Sequence, residues 1–483
     1  MDFEWTLFVH LGVISLALLA ATALRVRLRP LQRFLIPNSL TGGFILLAFY
    51  NLAGPRLGLN AASLGELIYH LLSLSFIAMS LRAVPGRKAG RDIAATGLMI
   101  TTSFTLQGIL GLGLTVLFIL TWFPGLVPSF GLLIPLGFEA GPGQAYSIGM
   151  GWEALGFAGA GSLGLSFAAA GFVWACFGGV FLINLGIRRG WIHGPSTAGV
   201  PASRLRTGLR PPGGERPAGS RLTTETEAID TLSANLAVVL LVYLLTYLLL
   251  QGLTRLVSLA GPEGRELAVN LWGISFIFAA LLALAARFAA VRLGVAHVLD
   301  NGSLTRIAGT CVDFLVAAAL GAISILVVLR FWLPLLAAAA LAGAFTLLYV
   351  LWLSSRLFRD HRFERAMVIY GASTGTMPTG LALLRVLDPE LRTPAATDYM
   401  YGSGISFFTI IPYILAINLP LYGFLRAEPR YYWIMGALML AYLAACLFVY
   451  RVMAGRRAFA RPATLWYRGE ASPEDRAQGS APP

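Results

Sequence analysis

The chain has 483 residues, of which 57% are hydrophobic and only 12% charged; soluble domains carry about 25% charged residues. That deficit and a mean hydropathy of +0.74 exclude a soluble enzyme. Uncharged stretches of about 20 residues, the length that crosses a hydrocarbon layer of about 30 Å, recur along it and predict an all-α polytopic membrane protein. The net charge of +13 then reads as topology, because basic residues collect in cytoplasmic loops, and not as a nucleic-acid signal.

In chain order, uncharged segments at 5–24, 34–54, 67–81, 93–121, 156–187, 231–254, 268–286, 314–329, 331–355, 399–425 and 431–450 predict eleven crossings. The first follows an acidic start without a small-residue cleavage pattern, so it reads as a span and not as a removable signal. Residues 131–152 and 366–384 are also apolar but crowded with helix breakers: Pro135, Gly137, Gly141, Pro142 and Gly143 in one, Gly371, Gly375, Pro378 and Gly380 in the other. Both read as re-entrant hairpins. With the N-terminus outside, this arrangement puts 30 of the 36 basic residues on the cytoplasmic side. Threading the first hairpin fully across would export the arginines of the central linker, and threading the second would export those of the tail.

Residues 1–187 thus hold four crossings, a hairpin and a crossing, and 231–425 repeat that order from the opposite side. Two inverted repeats, each of five spanning helices plus a re-entrant hairpin, are the pattern of secondary transporters, whose site lies near the midplane where interrupted segments meet. Residues 188–230 read as a flexible basic cytoplasmic linker, 426–455 as an extra, peripheral transmembrane helix, and 456–483 as a disordered cytoplasmic tail. The basic segments are solvated linkers or, alternatively, contacts for phospholipid.

A broken backbone at membrane depth must be covered by protein or line a wet cavity, which makes the hairpins the candidate site. Free N–H groups at half-helix starts suit a carboxylate, and unwound carbonyls and hydroxyls suit a desolvated cation. Glu139, an acidic residue costing about 2.5–3.5 kcal/mol at membrane depth, either binds a cation or proton, or pairs with a nearby donor or tips into the vestibule. Arg385 either clamps a carboxylate or snorkels to the cytoplasmic interface. Asp313, read as opening the span at 314–329, and Asp388 and Asp398 are expected as interfacial caps. The glycines at 156, 159, 161, 164, 171, 178 and 179 point to close helix packing. Cys176, Cys311 and Cys446 lie far apart in apolar sequence and read as buried small hydrophobes. His10, His70, His193, His297 and His361 have no paired metal-ligand spacing, and neither G-x-S-x-G nor a Walker motif occurs. No enzyme activity, cofactor or ATP-driven step is therefore expected.

The segment IPNSLTGGFIL at 36–46, GPGQA at 141–145 and TGTMPTGLA at 374–382 resemble the sodium/glutamate symporter family, and the order of spans and hairpins is similar over about residues 5–425. The resemblance implies sodium-driven uptake of glutamate or a related anionic amino acid or dicarboxylate, a homodimer, and alternating access by an elevator-like movement in a bacterial-type plasma membrane. Carried over, Gly141, Gly143, Gln144 and Ala145 form the first tip and Gly375, Thr376, Met377, Pro378 and Thr379 the second; Ser373 and Thr374, just ahead of it, join the candidate binding residues as hydroxyls of the same hairpin. Pro142 and Gln144 stand where the family has a histidine and a threonine, so the substrate is the least specified inheritance. Proton coupling, export of another organic anion, a passive channel and a non-transporting scaffold are the alternatives.

Overall fold

The computed structural model describes residues 5–83, 90–191, 207, 218–388 and 393–467. Residues 192–206 and 208–217 of the expected linker and 468–483 of the expected tail lie outside the described residues. In chain order the main helices are α1 (Thr6–Arg27), α2 (Asn38–Leu52), α3 (Ala61–Ser80), α4 (Arg91–Thr121), α5 (Pro142–Ala154), α6 (Ala160–Arg189), α7 (Thr231–Ser258), α8 (Pro262–Gly273), α9 (Ser275–Arg292), α10 (Asn301–Gly321), α11 (Trp332–Leu357), α12 (Arg362–Thr374), α13 (Met377–Leu387), α14 (Ala395–Leu425) and α15 (Arg430–Ala454). Among the described residues there is no strand. Ten of these helices, all but α2, α5, α8, α12 and α13, are long and apolar enough to cross a membrane. The chain is an integral membrane protein built from helices.

Several sequence expectations need correction. The segment at 34–54 forms only the 15-residue α2, about 22 Å long at 1.5 Å per residue and short of the hydrocarbon thickness. Pro37 starts it and a tight turn over Gly54–Leu57 ends it. The span expected at 314–329 begins earlier, because the Asp300 carboxylate caps α10 by accepting from the Ser303 amide at 2.7 Å. Asp313 consequently sits inside α10 and does not open it. The expected crossing at 268–286 is split at Ile274, leaving Ser275–Arg292 as the long helix. Within the expected linker, Thr223 and Thr224 donate amides to Thr231 Oγ1 at 3.0 and 3.3 Å, and Asp230 caps α7. Residues 456–467 of the expected disordered tail are bonded as well: buried Arg356 donates to the carbonyls of Ala460, Arg461 and Thr464.

The chain divides into two compact units that cut across the sequence halves. Unit one is Met1–Arg87, Ala140–Ala170 and Ser203–Leu336; unit two is Lys88–Glu139, Gly171–Ala202 and Ala337–Pro483. Unit one takes α1, α2 and α3 from the first half and α7, α9 and α10 from the second. Its centre is α10 packed on α2 and α3, an approach so close that a Cβ on Gly43 would fall 2.7 Å from Leu320 Cβ. Tyr69 Oη donates to the Trp272 carbonyl at 3.0 Å, and His70 Nδ1 meets Tyr243 Oη at 2.5 Å. Gly156 and Gly159, expected as packing positions, instead turn the chain ahead of α6 with φ of 110° and 82°, values in which side-chain-bearing residues are strained.

Unit two takes α4, the second part of α6, and α11 to α15. Here the glycines of α6 do serve close packing: a Cβ on Gly178, Gly179 or Gly186 would fall within 2.4 Å of Tyr370, Leu383 or Phe363, respectively. The short arms α12 and α13 lie along each other, and a Cβ on Gly371 would sit 2.8 Å from Gly380 Cα. This self-packed pair, Arg362–Thr374 and Met377–Leu387, covers the segment 366–384 that the sequence marks by its helix breakers. α15 is mostly unburied within the chain but packs on α4 and α14. Cys176, Cys311 and Cys446 are buried.

Candidate functional site

Pro135 removes a backbone donor, and the helix begun at Pro128 then widens to a π turn over Leu136–Ala140. It stops at Gly141, whose φ of 97° favours glycine. Single π turns of this kind recur at functional sites, and this one carries Glu139. The Glu139 carboxylate is half-buried and accepts a hydrogen bond from Ser103 Oγ at 2.5 Å. Ser103 Oγ also meets Tyr349 Oη. A serine hydroxyl has one proton; with that proton on Glu139, Tyr349 must be the donor to Ser103. With Glu139 ionised, the hydroxyl relay therefore runs Tyr349 to Ser103 to Glu139; with Glu139 protonated, its proton goes to Ser103 and the order reverses. Among the described residues no lysine, arginine or histidine pairs with Glu139.

A second rung lies one turn away. Ser103 and Gln107 share a face of α4 at i, i+4, and Thr346 and Tyr349 share a face of α11 at i, i+3. Gln107 Nε2 donates to Thr346 Oγ1 at 3.1 Å and to the Ser373 carbonyl at 2.9 Å. That carbonyl can only accept, which fixes the amide orientation and leaves Gln107 Oε1 as a buried acceptor without a partner. The Ser373 hydroxyl bears on Glu139 but closes no hydrogen bond. Glu139, Gln107 Oε1 and Ser373 Oγ are thus oxygen atoms with unused capacity in one buried cluster, the ligand chemistry a hard cation requires.

Ser373 belongs to the tip of the second hairpin. α12 ends at Thr374, whose Oγ1 donates to the Tyr370 carbonyl at 2.8 Å, and α13 begins at Met377. Its first N–H groups, those of Met377 and Thr379, precede any intrahelical acceptor. Thr376 Oγ1 and Thr379 Oγ1 lie 3.3 Å apart. Thr376 and Met377 are half-buried, Pro378 is exposed, and Ser373, Thr374, Gly375 and Thr379 are buried. α6 notches into the same place, where a Cβ on Gly171 would meet the Thr374 carbonyl at 2.3 Å and Phe138 Cδ1 at 3.0 Å. The tip accordingly offers a carbonyl end and an N–H end side by side, of opposite partial charge.

Unit two brings together Glu139 and the Ser373–Thr379 tip. It does not include the other expected tip: Gly141, Gly143, Gln144 and Ala145 belong to unit one. There a Cβ on Gly143 would lie 2.6 Å from Leu72 Cδ1, so that glycine serves packing, and Gln144 is buried with Oε1 unpartnered. Arg385 is exposed in the last turn of α13, at the far end of that arm from the tip. Asp388 is cap-like, accepting from the Thr393 amide and hydroxyl at 2.7 Å. Asp398, expected as an interfacial cap, is instead buried against Arg365 at 2.8 Å.

No family model, curated protein or solved structure matches this chain. The site is defined by its own atoms, including four residues that the reading of the sequence passed over: Ser103, Gln107, Thr346 and Tyr349. For the first two a signal was present in the polar run TTSFTLQ at 101–107, inside a span that is otherwise apolar.

Proposed function

We propose that the protein is a secondary active transporter that couples sodium to glutamate or a related anionic amino acid or dicarboxylate by alternating access. The observation that carries this reading is the Ser103–Tyr349 hydroxyl chain at Glu139, which among the described residues has no side-chain cation beside it. An acidic side chain at membrane depth without a fixed cationic partner calls for a mobile one, and a coupling cation is such a partner. Gln107 Oε1 and Ser373 Oγ supply further oxygen ligands, and the N–H end of α13 at Met377 and Thr379 receives the substrate carboxylate. A membrane-depth carboxylate beside an anionic substrate would repel it, which assigns Glu139 to the cation.

The family resemblance supports a homodimer, an elevator-like movement in which unit two carries the site, and a bacterial-type plasma membrane; the bias of basic residues supports the N-terminus outside. Each net positive charge moved inward gains about 2.3 kcal/mol per 100 mV, so an anionic substrate needs more than one sodium before voltage assists. The same relay of hydroxyls also favours a second reading, proton coupling through Glu139.

Uptake of labelled glutamate and dicarboxylates into proteoliposomes, with sodium replaced by choline at fixed pH, separates the two. Uptake is expected to collapse in choline; sodium-independent uptake that follows a proton gradient would overturn sodium coupling. Thr379→Val, which keeps the side-chain shape and removes the hydroxyl at the tip, is expected to lower uptake by about tenfold with membrane insertion unchanged. Normal uptake by that variant would remove Thr379 from the site.

A further inference from the structure

Unit one holds a second membrane-depth carboxylate, which the transport reading does not use. Asp313 lies about 18 Å along α10 from Asn301, at 1.5 Å per residue. Its depth is central: a Cβ on Gly143 would touch Leu315 Cδ1 at 3.0 Å and Leu72 Cδ1 at 2.6 Å, and Leu72 stands near the middle of α3. Among the described residues one side chain bears on it, the Ser39 hydroxyl in the first turn of α2. The elements packed against α10 carry His10 and Arg25 on α1, Glu66 and His70 on α3, Glu153 on α5 and Arg255 on α7, while α2 has no charged residue. None of these groups acts on the charge of Asp313. The Arg306 guanidinium lies against Gly219, which also sits beside Gly302 at the start of α10.

The surroundings of Asp313 follow from a mismatch in helix length. Arg306, Thr310, Asp313, Ala317 and Leu320 recur at i, i+3 and i+4 and so share one face of α10. Toward Gly321, α2 covers that face: Ala317 and Leu320 are buried, and a Cβ on Gly43 would meet the Ala317 carbonyl at 3.3 Å. But α2 has only 15 residues and begins at Asn38, beside Asp313. Toward Asn301 the face continues as Thr305, Arg306, Gly309, Thr310 and Asp313, all exposed in the chain as a whole and none with an apolar side chain. Ionisable side chains at this depth face a wet cavity or a protein partner and not lipid. A second copy related by an axis along the membrane normal would set Asp313 against Asp313, which leaves water against the strip.

We propose that α10 bounds a water-filled cleft, open on the side where the helix starts and closed by the first turn of α2, and that Asp313 at its end binds a small monovalent cation. Sodium and hydronium share the required chemistry, a carboxylate with a hydroxyl oxygen beside it; Asp313 and Ser39 supply both. Thr310, one turn nearer the opening, lines the way in. The inference rests neither on Glu139 nor on the identity of the substrate.

Thiol labelling of the full chain in membrane vesicles of either orientation tests it. The native cysteines are buried, so the chain without an added cysteine is the blank. Thr310→Cys is expected to react with a membrane-impermeant methanethiosulfonate from the same side as Thr305→Cys, and to prefer the trimethylammonium reagent over the sulfonate reagent. Asp313→Asn is expected to lower that preference by about tenfold, because residues at i and i+3 are neighbours and the two reagents differ by two charges. Sodium at fixed pH is expected to slow the cationic reagent at Thr310→Cys if sodium is the occupant; acidification without sodium is expected to slow it, relative to the Asp313→Asn background, if hydronium is. Thr305 and Thr310 are exposed, so their cysteine variants are expected to keep the wild-type thermal transition. No reaction at Thr310→Cys from either side, reaction only from the side opposite Thr305→Cys, an unchanged preference in Asp313→Asn, or indifference to both cations would each overturn the proposal.

Discussion

Glu139→Gln is expected to reduce sodium-driven uptake by at least about a hundredfold, close to 2.7 kcal/mol, while the protein still inserts and folds. Glutamine keeps the shape and can still accept the Ser103 hydroxyl proton, so the local hydrogen bond survives. The substitution removes the one anionic oxygen pair of a cluster whose other free ligands, Gln107 Oε1 and Ser373 Oγ, are neutral. A desolvated sodium ion loses its charge partner, and coupling fails before packing does. Insertion is expected to be at least as good as in the wild type, because a neutral side chain avoids the cost of about 2.5–3.5 kcal/mol for a charge at membrane depth. Tyr349→Phe, which deletes only the outer donor of the relay, is expected to cost about tenfold. Sodium-driven uptake by Glu139→Gln at the wild-type rate would remove Glu139 from the coupling path.

The residues that could be read in advance were those whose chemistry is out of place wherever the fold puts them. A carboxylate in an apolar run is costly under any arrangement, so Glu139 was visible from the sequence; so was Gly141, because a proline and glycines around it cannot continue a helix. Ser103 and Gln107 are different. Hydroxyls and amides are cheap enough to sit anywhere along a span, and only the pairing of Ser103 with Tyr349, 246 positions away, gives them a role. The same limit explains the boundaries. Treating every charge as the end of a span misplaced α10, since Asp313 is tolerated inside the helix once Asp300 has capped its start. Composition made residues 456–467 look unstructured, and the fork of Arg356 collecting their carbonyls leaves no trace in composition. The compact units were hidden for the same reason: each joins helices from both halves of the chain, and no local pattern encodes that.

Arg365→Met is expected to be the most destabilising single change in unit two, at about 3–5 kcal/mol. Arg365, near the start of α12, is 2% exposed and holds three carboxylates: Asp398 at 2.8 Å, Asp92 at 3.5 Å, and Asp360 through both its side chain and its backbone carbonyl. These link the starts of α4, α12 and α14, the elements that set the hairpin against the Ser103 helix. Methionine fills the volume but leaves the Asp398 carboxylate, also 2% exposed, charged and without its guanidinium. Asp92→Asn and Asp360→Asn remove partners that are 31% and 58% exposed, where an ion pair contributes about 1 kcal/mol or less. The order of thermal stabilities is therefore expected to be wild type, then either exposed variant, then Arg365→Met. Asp398→Asn added to Arg365→Met is expected to recover part of the loss, because it neutralises the buried carboxylate that has lost Arg365. Burial opposes ionisation of Asp360, but the hydrogen bond and charge of Arg365 outweigh it and hold the carboxyl below its ordinary range. A depressed carboxyl stabilises the fold above its unfolded pKa, and that share is lost as pH falls through the folded value. Wild type is thus expected to lose a little stability on acidification that Asp360→Asn does not. A double-mutant cycle giving no coupling between Arg365 and Asp398 would overturn the account of this network.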